Sequence, residues 1–75
     1  MNDYVEISCD VMFQTAEATL INDGTQPKGE GIWIPISQQD PDEVHIWEHE
    51  PILGTQIFVK EWLAQDKGLI WNTYY

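Results

Sequence analysis

Residues 4–14, YVEISCDVMFQ, alternate in character without a break. Val5, Ile7, Cys9, Val11 and Phe13 fall on one side, and Glu6, Ser8, Asp10, Met12 and Gln14 on the other. Only a β-strand, with successive side chains on opposite faces, sorts this pattern into an apolar and a largely polar side. A strand with one apolar face cannot stand alone, so the chain must supply further strands or a helix to cover it.

The rest of the sequence offers both. TAEATLI continues the alternation and predicts a second strand from about Glu17 to Ile21. NDGTQPKGEG follows, with Asn22, Asp23 and Gly24 as a hairpin signal and the remainder expected as a floppy loop. GIWIPIS reads as a third strand, and Pro35, which lacks a backbone donor, places it at a sheet edge or a bulge. QQDPDE reads as a loop. VHIWEHE reads as a fourth strand, with His45, Trp47 and His49 on one side and Val44, Ile46 and Glu48 on the other. PILGTQ is expected to break it, leaving IFV as a short fifth strand or an extended lead-in to the helix. KEWLAQDK suits two helical turns, with Gly68 as the left-handed residue after them and Leu69 folding back. So short a helix needs anchors, and Trp62 and Leu63 are the expected ones, with Trp33 and Trp62 as core partners. The terminal WNTYY is expected to fray. The reading is a single α+β domain, residues 1–75, with a small, mainly antiparallel sheet of four or five strands and one short C-terminal helix.

Three segments together carry a resemblance. TAEATLIND, then W-I-P-x-S-Q from Trp33 to Gln38, then V-x-x-W-L-A-x-x-K-G-L from Val59 to Leu69 resemble a module of small phage and prophage proteins, some of them replication-associated. The resemblance spans roughly Thr15 to Ile70. It implies a mobile-element origin and a shared small fold, with no single activity attached. Where that module often has lysine after W-I-P, this chain has Ile36.

Charge limits the partners. Thirteen acids face three lysines and no arginine, a net charge of −10. The imbalance lies before Lys60; after it, Lys60 and Lys67 balance Glu61 and Asp66, and both lysines are expected to favour the helix C-terminus. Nucleic-acid binding draws its affinity from cations set against phosphates, so direct binding is not expected. Anionic membrane surfaces are disfavoured in the same way, and no apolar run is long enough to span a bilayer. A basic protein is the natural partner. Nine aromatics, four of them Trp, argue against disorder. The single cysteine, Cys9, can form no internal disulfide and suits a reducing, cytoplasmic setting.

Motifs that could carry chemistry are few. His45 to His49 spells H-x-x-E-H, a zinc spacing on a helix, but on a strand residues four apart lie roughly 13 Å from one another. Asp40 to Glu43, DPDE, reads as a solvated turn, and Cys9 as a core thiol. No catalytic set, metal site or cofactor site is expected, and the protein is not expected to be an enzyme. The expected contact surface is acidic: Glu6, Asp10, Glu17, Glu30, Asp40, Asp42, Glu43, Glu48 and Glu50. A domain of this length has a radius of gyration of roughly 11 Å. Gathered on one side, its carboxylates would approach the charge density of duplex DNA. The leading expectation is therefore a phage-type protein that binds a basic or nucleic-acid-binding protein, with DNA mimicry against a CRISPR or restriction complex as its sharpest form. The alternatives are an accessory module in phage DNA replication or recombination, stacking single strands on Trp33 or Trp47, or a homo-oligomeric structural component with Trp71 and Tyr74 at the contact.

Overall fold

The computed structural model describes residues 4–44 and 51–73. Its strands are β1 (Tyr4–Gln14), β2 (Ala18–Asn22), β3 (Ile32–Pro35), β4 (Ile52–Lys60) and β5 (Asn72–Thr73), and its helix is α1 (Glu61–Asp66). The sheet is antiparallel in the order β3-β2-β1-β4, and β5 pairs with the start of β1. This is the expected small α+β fold. No helix among the described residues is long and apolar enough to cross a membrane.

β1 is the hub, since every strand except β3 pairs with it. Its inward face is the expected one as far as Val11: Val5, Ile7, Cys9 and Val11 are buried. Beyond Val11 the register shifts. Val11 pairs with Ile21 but Phe13 with Leu20, so β1 carries one extra residue, Met12. That bulge flips the strand over, which corrects the expectation for Phe13: it is 50% exposed on the outer face, while Gln14 turns inward toward Thr19. A second bulge lies between Cys9 and Val11 in the pairing with β4, where the extra residue is on β4. Gly54 sits there at φ +68°, a conformation that favours glycine, and its freed N–H donates to the Asp10 carboxylate at 2.8 Å.

The two bulges curl the sheet, and the chain path shows how far. After Pro35, on one edge, residues Ile36–Gln38 make a turn of 3-10 helix. Gln39 then bridges Val59 on the far edge of β4. In a flat sheet, going from β3 to a position beyond β4 is four strand spacings, roughly 19 Å. The four steps from Pro35 to Gln39 span at most about 14 Å even fully extended. The sheet must therefore bend until its two edges meet around the core. The Gln39 side chain lies inside that bend, 4% exposed, donating to the Thr19 hydroxyl at 3.1 Å and the Ile34 carbonyl at 3.4 Å. Gln14 donates to the same hydroxyl at 3.1 Å, so one threonine on β2 receives amides from both sides.

The helix closes one end of the core with Leu63 and Ala64, both buried. Trp62 is 56% exposed, which corrects its expected role as anchor: residues 63, 64 and 69 face inward, and 62 points away. Gly68 at φ +68° ends the helix. Leu69 N–H bonds the Ala64 carbonyl at 2.9 Å and Gly68 N–H the Gln65 carbonyl at 3.2 Å, the paired bonds of a Schellman end. Lys67 is the C-cap, but Lys60 is the N-cap, at the end of the helix dipole where a cation gains nothing. Its ammonium lies 5.3 Å from the centre of the Tyr4 ring instead.

Other expectations are corrected in the same way. Ile36 and Ser37 belong to the 3-10 turn rather than to β3, although β3 is at the sheet edge as Pro35 requires. The strand expected as short at IFV is longer, because Ile52–Lys60 form one nine-residue strand that takes in ILGTQ. The loop after β2 is held in place. Asn22 donates to the carbonyls of Pro27 at 3.1 Å and Glu30 at 2.8 Å, and Asp23 accepts Thr25 N–H at 3.0 Å and the Thr25 hydroxyl at 2.6 Å. The other Asp23 oxygen accepts the Ile70 N–H at 3.0 Å, tying this loop to the C-terminal segment. Trp71 is half-buried against the core and Asn72–Thr73 pair with β1, so that segment is docked as far as Thr73. The expected fourth strand lies, after Val44, outside the described residues, as do Trp47 and Tyr74.

Two outcomes test this account. Gln39→Ala should lower stability by roughly 1–3 kcal/mol, because it removes buried hydrogen bonds and leaves a void; a shift in the urea midpoint would measure it. Burial pulls the Asp23 carboxyl upward, but the bonds from Thr25 and Ile70 outweigh it and hold the group below its ordinary value. A depressed carboxylate stabilises the fold above the unfolded value of about 3.9 and loses that contribution as pH falls through the folded value. The stability gap between the native chain and Asp23→Asn should therefore be widest at neutral pH and close in acid, along with the exchange protection of the Ile70 amide.

Candidate interaction surface

The outside of the curled sheet carries two groups of side chains worth separating. The first lies across the start of β1. Glu6 pairs with Phe58 on β4, and Asp40 N–H bonds the Phe58 carbonyl at 2.9 Å on the other side. Glu6 and Asp40 thus flank Phe58, their backbones roughly 10 Å apart at two strand spacings. Neither sequence position announced this, because the pairing of residue 40 with β4 is a product of the fold. Asp42 and Glu43 continue from Asp40 in an ordered turn. The Asp40 carboxylate accepts the Asp42 N–H at 2.9 Å, and its carbonyl accepts the Glu43 N–H at 3.0 Å. DPDE is a turn, as expected, and Asp40 spends part of its acceptor capacity holding it.

The second group lies at the other end of β1. Phe13, Leu20 and Trp33 occupy one row across β1, β2 and β3. Trp33 is 45% exposed, which corrects its expected place in the core: Ile34, its neighbour, takes the inward position. The rings of Phe13 and Trp33 reach over Leu20 to meet edge to face, 6.4 Å between centres and 88° between planes. Glu17 and Glu30 lie beyond the two ends of β3. The Glu17 carbonyl accepts the Ile36 N–H at 2.9 Å, which fixes Glu17 at the Pro35 end of β3. Glu30 lies three residues before Trp33, its carbonyl held by Asn22.

Asp10 belongs to neither group, since it is bonded to Gly54. Glu48 and Glu50 lie outside the described residues. The nine expected contact acids therefore do not form one continuous patch among the described residues. Glu6 with Asp40, Asp42 and Glu43 gather at one end, while Glu17 and Glu30 lie beyond the two ends of β3. The aromatic pair is what sequence reasoning missed. The one available signal was Met12, a large apolar residue on the otherwise polar side of the first strand.

The other chemistry-bearing groups have structural work. Burial, aided by the charges of Asp10 and Asp23 and opposed by a backbone bond from Ile57, pushes the Cys9 thiol up to about 12. It keeps its proton at neutral pH, which is the condition of a core side chain and not of a thiolate nucleophile. Among the described residues no three His, Cys, Asp or Glu side chains stand together to hold a metal ion, and His45 and His49 lie outside them. Comparison with protein-family models, with curated proteins and with solved structures gave no match.

Proposed function

We propose that this chain is a small acidic protein of phage or prophage type that binds a basic, nucleic-acid-handling protein and competes with nucleic acid for it. The observation that carries this reading is the charge relative to size: −10 on a body 33 Å in its longest dimension, with a radius of gyration of 11.2 Å. Duplex DNA of that length carries about 19 phosphate charges, so the protein offers roughly half that number in a similar span. Such a surface is drawn quickly to a groove built for phosphates and is repelled by nucleic acid itself. A restriction or CRISPR complex is the most specific target of this kind.

The test is capture from bacterial lysate on the immobilised protein, with the bound fraction identified. A retained DNA- or RNA-binding protein that is released by salt and displaced by duplex DNA supports the reading. Retention of nucleic acid, or of partners that duplex DNA does not displace, overturns it. The exposure of Trp33 favours one second reading, an accessory role in phage DNA replication with single-stranded bases stacked on that ring. Tight, salt-sensitive binding of an oligo-dT strand, lost in Trp33→Ala, would install that reading in its place.

A further inference from the structure

We infer that the Asp23–Gly24 peptide is a latent modification site, where the fold's hydrogen bonds hold back isomerisation of aspartate to isoaspartate and where conversion unties the C-terminal segment from the loop after β2. Asp23–Gly24 is the one place in the chain where glycine follows an aspartate or asparagine. That order favours attack of the following backbone nitrogen on the side-chain carboxyl, because glycine has no side chain to crowd the nitrogen and leaves the backbone free to turn. The reaction needs only water. The Gly24 nitrogen loses its proton and bonds to the Asp23 Cγ, the carboxyl hydroxyl leaves with that proton as water, and a cyclic succinimide results. Water then opens the ring at either carbonyl. Opening at the former main-chain carbonyl leaves the chain running through Cγ, longer by a methylene, with the carboxylate directly on Cα.

Every group that the reaction must move is held. Gly24 N–H donates to Asn22 Oδ1 at 2.8 Å, and Asp23 N–H to Gln26 Oε1 at 2.9 Å. One Asp23 oxygen accepts the Thr25 N–H and hydroxyl, and the other accepts the Ile70 N–H at 3.0 Å. Burial acts against ionisation, but those bonds keep the carboxyl below its ordinary value, and the carboxylate is the form that a nitrogen does not attack. Crowding has no part in this. Beyond its chain neighbours, no described heavy atom lies within 4 Å of where a Gly24 Cβ would stand. Hydrogen bonds therefore shut the site, and it opens when the loop does. The consequence of conversion lies further along the chain. A carboxylate moved onto Cα, on a main chain lengthened beside it, loses the reach that joins Thr25 to Ile70. Ile70 lies between buried Leu69 and half-buried Trp71, just ahead of β5. The lost bond is thus one that holds this segment in place.

The experiment ages the full chain, folded and in urea, quantifies isoaspartate by enzymatic methylation and locates it by fragment mass spectrometry. The folded chain should convert Asp23 about ten-fold more slowly than the unfolded one, since several hydrogen bonds must open first. Asn22→Ala, which removes the Gly24 acceptor, should bring the folded rate towards the rate in urea. Thr25→Val, which removes only a hydroxyl bond, should raise it less, and serves if the Asn22 variant fails to fold. In the converted fraction the Ile70 amide should exchange faster with solvent, while the amides of the β1–β4 ladder keep their protection. Equal rates in the folded and unfolded chains overturn the inference. So does faster conversion of another residue in urea, or an Ile70 amide that stays protected after conversion. No partner takes part, so the outcome is independent of the lysate experiment.

Discussion

Gln39 is where the fold closes. A four-residue passage from one edge of the sheet to beyond the other is shorter than the flat sheet it would have to cross, so the passage and the curl require each other. The buried amide that makes the passage needs hydrogen-bond partners, because a polar group left unpaired in the core is strongly unfavourable. Thr19 and the Ile34 carbonyl provide them. Both lie on strands distant from β4 in pairing order, and the amide therefore records that the sheet has bent. Neither Gln39 nor Thr19 carries an apolar pattern that marks it as interior.

The same curl creates the exterior. Curling demands bulges, and each bulge changes which side chains face water. On β4 the bulge frees an amide that Asp10 then occupies, so a carboxylate that could have been part of an acidic surface is committed to the backbone. On β1 the bulge removes Phe13 from the core and sets it beside Trp33. The residues left on the outer face are thus determined by the device that bends the sheet. For so small a domain this is economical, because a core of eleven buried apolar residues among those described tolerates little that is not packed or bonded.

The two quoted motifs divide along these lines. In W-I-P-x-S-Q, Ile34 is core, Pro35 ends an edge strand, and the following residues make the 3-10 turn that leads to Gln39. In W-L-A-x-x-K-G-L, Leu63, Ala64 and Leu69 are core, and Gly68 makes the helix end. The tryptophan that opens each motif is a large apolar side chain left outside the core.

Much of the build was legible in the residues themselves. Period-two alternation to Val11, the edge position demanded by Pro35, the Gly68 helix end and the buried Cys9 follow from local sterics and patterning, which need no distant partner. So does the net charge, which is fixed by composition whatever the fold. What only the tertiary structure decided are the features made by residues far apart in sequence. They include the bulge that expels Phe13, the full length of β4, the Asp23 tie to Ile70, the bridge from Gln39 to Val59 and the meeting of Phe13 with Trp33. A bulge is a mismatch between two strands, and a cross-strand row is a register. Neither is a property of one segment, so neither can be read before the strands have paired.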